Sequence, residues 1–163
     1  MKNIISTFII YFFSSSCLAS TFIEIKFGGW SHHFKTKDEF NEVHEGIGLE
    51  LYSLDGNNNQ VGVGYWRMKD SLNVSSDYFG FNYRYKVKIN NNIEILPSVS
   101  FSYFEKGKKE RGTITKHSGS SLIPSLSFNF YEKYGLDLFY VPEGSLSYSD
   151  TIFFRLSYRI IFL

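Results

Sequence analysis

Between Phe79 and Ile89 the chain places Phe79, Phe81, Tyr83, Tyr85, Val87 and Ile89 at every second position. Gly80, Asn82, Arg84, Lys86 and Lys88 lie between them. In a strand these two sets point to opposite sides of a sheet, so one face is aromatic and the other polar and cationic. Asn90-Asn91-Asn92 then supplies a turn, after which Ile93, Ile95, Pro97, Val99, Phe101 and Tyr103 alternate with Glu94, Leu96, Ser98, Ser100 and Ser102. This is the pattern of a hairpin. The C-terminus repeats it, with Phe154, Leu156, Tyr158, Ile160 and Phe162 set against Arg155, Ser157 and Arg159. After the N-terminal segment no stretch keeps a helical period, and none has an apolar run long enough for a transmembrane helix.

Counting such segments predicts strands near 21–34, 44–54, 60–69, 77–89, 93–104, 121–131, 136–142 and 151–162. The expected fold is all-β, an eight-stranded antiparallel up-and-down transmembrane β-barrel. Short turns at 55–59, 90–92 and 132–135 belong on the periplasmic side, and longer loops near 35–43, 70–76, 105–120 and 143–150 face outside. The rival is a soluble up-and-down barrel with an apolar interior, and alternation alone does not say which face points in. Composition favours the membrane version. The 163 residues suit one domain and include 17 Phe and 12 Tyr, yet mean hydropathy is slightly negative at -0.17. A lipid-facing barrel can turn those rings outward and keep Arg84, Lys86 and Lys88 in its lumen. A net charge of +1 offers no electrostatic case for nucleic acid.

Residues 1–19 read as a cleavable signal peptide. Lys2 charges the start, Ile4 to Phe13 form a short apolar stretch, and Cys17-Leu18-Ala19 fits cleavage before Ser20. Lipidation at Cys17 is disfavoured, because Ser14-Ser15-Ser16 lacks the aliphatic residue expected before a lipidated cysteine. Residues 20–163 then form the barrel domain, without cysteine and so without disulfides, in the outer membrane of a Gram-negative envelope.

Two chemistry-bearing segments end strands at the same side. Trp30-Ser31-His32-His33-Phe34 closes the first strand, and Lys69-Asp70-Ser71 closes the third. A histidine near a serine hydroxyl can act as general base in acyl transfer, with a carboxylate to orient it. Which histidine faces the lumen depends on parity. If Ile23, Ile25 and Phe27 face lipid, Trp30 and His32 point inward, whereas a bulge at Gly28-Gly29 would reverse this and bring His33 in.

The stretch Gly64-Tyr65-Trp66-Arg67-Met68-Lys69-Asp70-Ser71-Leu72-Asn73, with Asn41-Glu42 before Gly46-Ile47-Gly48, resembles the lipid A palmitoyltransferase (PagP) family. Leu122-Ile123-Pro124 and Tyr140-Val141-Pro142 resemble that family's proline-bearing strands, where broken pairing admits a phospholipid chain sideways. The resemblance implies an outer-membrane acyltransferase that moves a palmitoyl chain from a phospholipid donor to lipid A. The family's catalytic residues would fall on His33, Asp70 and Ser71, with His32 the other candidate histidine. It also implies a monomer that needs no cofactor or metal. The family's N-terminal amphipathic helix has no counterpart, and Asn82 falls near the floor of the expected acyl pocket, where the family has glycine. The alternative reading is a non-enzymatic barrel that binds lipopolysaccharide or supports the envelope through its loops.

Smaller features have simpler readings. Glu42, His44 and Glu45 could hold a cation bridging lipopolysaccharide phosphates, or be a solvated loop. Lys106, Lys108, Lys109, Arg111, Lys116 and His117 give the 105–120 loop a basic character suited to anionic head groups. Gly62 and Gly64 relieve crowding or permit strand curvature.

Overall fold

The computed structural model describes residues 21–34, 40–110, 112–144 and 146–161, so the expected signal peptide and its cleavage site lie outside the described residues. Nine strand segments follow one another: β1 (Thr21–His33), β2 (Val43–Leu54), β3 (Gln60–Lys69), β4 (Ser75–Arg84), β5 (Val87–Lys88), β6 (Ile93–Glu110), β7 (Thr113–Phe130), β8 (Tyr134–Val141) and β9 (Thr151–Ile161). Every pairing is antiparallel. The order β4-β3-β2-β1-β9-β8-β7-β6-β5 is closed by a further β4–β6 ladder. The two-residue β5 continues β4 along the same β6 neighbour, so the barrel has eight walls, as the alternation predicts. Closure leaves no sheet edge within lipid, the condition for strands to cross a bilayer.

The pairing registers set side chains in rows on the outside. Val63, Phe81, Phe101 and Leu122 form one row across β3, β4, β6 and β7, and Tyr65, Phe79 and Tyr103 form the next one up. Above them Arg67, Asp77 and Glu105 begin a charged row. The aromatic rows are exposed, and the inward face is buried, charged in its lower part and closed toward the outer end by an apolar cluster of Phe104, Ile123, Val141 and Leu146. This is a lipocalin turned inside out, and it settles which face points in: the protein is an outer-membrane β-barrel.

The lumen is filled with ion pairs. Glu24 meets Lys26 at 2.6 Å, Arg84 at 2.8 Å and Arg159 at 2.9 Å. Glu50 meets Arg155 at 2.5 Å, and Asp137 meets Lys26 at 2.8 Å and Arg155 at 3.0 Å. Tyr52 and Ser127 donate hydroxyls to Glu50 and Asp137. Arg84 belongs to this lumen, as expected, and Lys86 pairs with Glu94 lower down at 2.7 Å. Lys88 keeps to the same face, opposite the inward Glu94, at the exposed end of the barrel. The register to β6 carries through from Arg84↔Ser98 to Lys88↔Glu94.

The expected 105–120 loop is also corrected. β6 and β7 are each 18 residues long and stay paired from Ile93↔Phe130 to Glu110↔Thr113. At about 3.3 Å per residue they span roughly 60 Å, well beyond the 9–11 residues a membrane strand needs. The hairpin therefore stands above the barrel as a two-stranded ribbon. On its other side β7 pairs with β8 only as far as Ser125↔Phe139. Pro124, with no N–H to donate, lies just beyond that end, so strand pairing does stop beside the proline-bearing segments. The β6–β7 ladder runs through Pro97 and Pro124 without a break.

Candidate functional site

Toward the outer end the eight walls of the barrel enclose a cavity of about 120 Å³. Ser31, His33, His44, Ser71 and Thr151 line it together with Asp70 and Lys106, Ile123, Phe139 and Phe153 form apolar wall, and Arg155 closes it below.

The parity of β1 is decided by a bulge. Gly28 and Gly29 have φ of 77° and 131°, and the register to both neighbours shifts between Phe27 and Trp30. These are conformations that glycine adopts without penalty. Below the bulge Phe22, Glu24 and Lys26 point inward, and above it Ser31 and His33 do. His32 is turned out, its ring 66% exposed and 3.3 Å from Glu42. A Cβ at Gly28 would sit 2.6 Å from the Trp30 ring. Gly28→Val should therefore lower stability by about 1–3 kcal/mol and disturb the orientation of His33. Chemical unfolding in detergent, with histidine NMR shifts of the folded variant, checks this, and wild-type stability would show that the bulge is dispensable.

His33 and Ser71 come together, with Nε2 2.9 Å from the Ser71 hydroxyl. One tautomer satisfies this network. Thr151 donates its hydroxyl to the Ser149 carbonyl, so at 2.9 Å it accepts from His33 Nδ1–H, which leaves Nε2 to accept from Ser71. His44 is held in the same way. Its Nδ1 donates to the Lys69 carbonyl at 2.7 Å, and its Nε2 accepts from Ser31 at 2.8 Å.

Asp70 is brought close but employed differently. Its Oδ1 accepts the N–H groups of Leu72 and Val74, and its Oδ2 accepts the Ser76 hydroxyl and the Gly107 N–H. The carboxylate thus staples the β3–β4 turn to the base of the ribbon. The ring of His33 is oriented by Thr151 and Ser149. Glu42, His44 and Glu45 do not converge: His44 faces the lumen, and Glu45 turns outward to Lys69 at 2.8 Å. Among the described residues no group of three or more His, Cys, Asp or Glu side chains could hold a metal ion.

The cavity is shallow. Its Arg155 floor is paired to Glu50, and a lesser void of about 50 Å³ beneath is lined by Glu50, Asn82 and Arg155. A cavity near 150 Å³ takes a molecule of benzene's size, so a palmitoyl chain does not fit here. Ser31, His44 and Thr151 escape a motif-based reading. The alternation of Val43, Glu45, Ile47 and Leu49 outward is the signal that places His44 inside.

No protein-family model matches the chain, and no curated protein matches it. Solved structures do. Neisserial surface protein A has a TM-score of 0.62 at 9% identity, over 87% of this chain and 97% of that one. The N-terminal β-barrel domain of Pseudomonas aeruginosa OprF gives 0.56 at 11% identity, over 87% and 99%. The attachment invasion locus protein Ail of Yersinia pestis, in complex with the heparin analogue sucrose octasulfate, gives 0.53 at 13% identity, over 87% and 99%. The likeness is one of barrel architecture, and it lends no support to the palmitoyltransferase family in particular.

Proposed function

We propose that this outer-membrane barrel acts by binding, its outward-facing end holding lipopolysaccharide through basic side chains. The observation that carries the reading is the β6–β7 ribbon, which stands above the lipid-facing rows and carries Lys109 and Lys116 on its exposed face, Lys116 beside Glu105 at 2.6 Å. Arg67 and Lys69 extend the cationic groups down the outer wall, each beside a carboxylate. Lysines near an anionic lipid surface contribute about 1 kcal/mol each. An anionic saccharide is also what the Ail crystal contains.

The test is binding of purified lipopolysaccharide to the refolded barrel. Lys109→Gln combined with Lys116→Gln should weaken it by about 2 kcal/mol at low salt and flatten its salt dependence. Unchanged binding in the double variant would remove the ribbon from the interface.

A second reading, acyl transfer from phospholipid to lipid A, is favoured by the His33–Ser71 hydrogen bond. Under it His33 would be the base and Ser71 the hydroxyl it activates, with Asp70 holding the turn on which Ser71 sits. Mass analysis of lipid A from cells expressing the barrel decides between the two. A palmitoylated product lost in both Ser71→Ala and His33→Ala would favour transfer, and unchanged lipid A would favour binding alone.

A further inference from the structure

Lys106 is a buried cation that, among the described residues, has no carboxylate in ion-pair contact. It is 8% exposed, and its ammonium donates to the Leu146 carbonyl at 2.8 Å. The nearest acid the structure offers is Asp70, whose two oxygens already accept four hydrogen bonds. A buried ammonium ordinarily has an anion against it, because burial removes the water that would otherwise solvate the charge. Two of its three N–H donors remain for a partner.

The surroundings of Lys106 are built for such a partner. Between the ribbon and residues 146–148 lies a cavity of about 430 Å³ lined by Lys106, Gly107, Lys108, His117, Gly144, Leu146, Ser147 and Tyr148, with three basic residues and, among the described residues, no acidic one. Strand geometry explains the convergence. Lys106 and Lys108 are two residues apart on one face of β6, and His117 is the cross-strand partner of Lys106 on β7. Tyr148 accepts the Lys109 N–H on its hydroxyl oxygen, which leaves its own O–H to donate. Gly107 lets the ribbon approach Asp70, since a Cβ there would stand 2.9 Å from the carboxylate. The same carboxylate that staples the turn thereby fixes the height of Lys106.

We propose that this cavity is a binding site for a phosphate monoester, seated on Lys106 with Lys108, His117 and Tyr148 around it. The volume admits a phosphate together with the sugar or glycerol that carries it, and the phosphate would complete the unpaired ammonium. The inference deepens the binding reading above by assigning the phosphate a seat inside the ribbon's base, distinct from the exposed lysines.

The test uses the refolded full barrel in zwitterionic micelles. Titrations follow phosphorus and histidine-ring NMR with inorganic phosphate in one arm and short-chain phosphatidic acid in another; short-chain phosphatidylcholine serves as the control. Saturable binding that shifts His117 and is weakened about tenfold or more by Lys106→Met and by His117→Gln is the expected result. Lys109→Gln with Lys116→Gln, which removes two positive charges from the outer face, should leave it unchanged. Preference for phosphatidic acid would identify a lipid head group, and equal affinity a free phosphate. His117→Gln keeps the test valid should Lys106→Met fail to fold. Absence of saturable binding, or equal weakening by the outer-face pair, would overturn the site. The two readings fail separately: lipopolysaccharide binding without saturable phosphate binding removes the cavity alone, and phosphate binding without lipopolysaccharide binding removes only the broader function.

Discussion

Glu24→Leu should destabilise the barrel by about 3–5 kcal/mol, the cost of removing one member of a buried ion-pair group. Glu24 is 1% exposed and is the carboxylate against which Lys26, Arg84 and Arg159 converge. Without it, four lumen cations face only Glu50 and Asp137. Arg84 lies over the Tyr52 ring at 4.2 Å, and Arg159 over Phe22 at 4.1 Å. These stacked guanidiniums cannot swing out to water without losing that packing. Adding Arg159→Leu to Glu24→Leu removes a charge together with its partner and should recover part of the loss, a coupling of about 1–3 kcal/mol. Urea unfolding from lipid vesicles, followed by tryptophan fluorescence, measures all three variants. A single-variant loss below about 1 kcal/mol would mean that water screens the lumen, contrary to the burial of these groups.

This network also marks what could be read from the sequence alone. That Arg84 faces inward follows from its neighbours Tyr83 and Tyr85, because period two ties each residue to its face. That Glu24 receives Arg159, 135 residues away, depends on how β1 closes against β9, and no local pattern carries such information. The ribbon was hidden for a different reason. From Glu105 to Ser118 both faces are polar, so the alternation that defines a strand elsewhere has no apolar half, and the segment reads as a basic loop. Pairing onto an already formed hairpin overrides that weak local signal.

The candidate site shows the same division. Residue types near the rim could be picked out, since a histidine pair and an Asp-Ser element end strands on one side. Their assignment to roles could not. A pair of glycines is compatible with a bulge or a regular strand, and only the register shift shows that His33, and not His32, enters the cavity. Asp70 reads as a third partner of the histidine and serine in one dimension, and in three its carboxylate holds the turn on which Ser71 sits.

Phe81→Arg should cost about 2–4 kcal/mol, the penalty for a guanidinium placed on the lipid face near the middle of the bilayer. Phe81 is 47% exposed and is flanked along its strand by Phe79 and Tyr83 and across the sheet by Val63 and Phe101, all turned outward. An arginine there has no carboxylate in its row, whereas Arg67, two rows higher, binds Asp77 at 2.6 Å. Arg67→Ala should accordingly change stability by no more than about 0.5 kcal/mol, as for other exposed ion pairs. The contrast between the two positions measures where the hydrocarbon ends along β3 and β4. Guanidinium titrations in phosphatidylcholine vesicles provide both values, with anomalous gel mobility before boiling as the check that each variant forms a closed barrel. If Phe81→Arg were tolerated as well as Arg67→Ala, the aromatic rows would face water, and the buried lumen charges would lose the lipid surroundings that make an inward polar core the favourable arrangement.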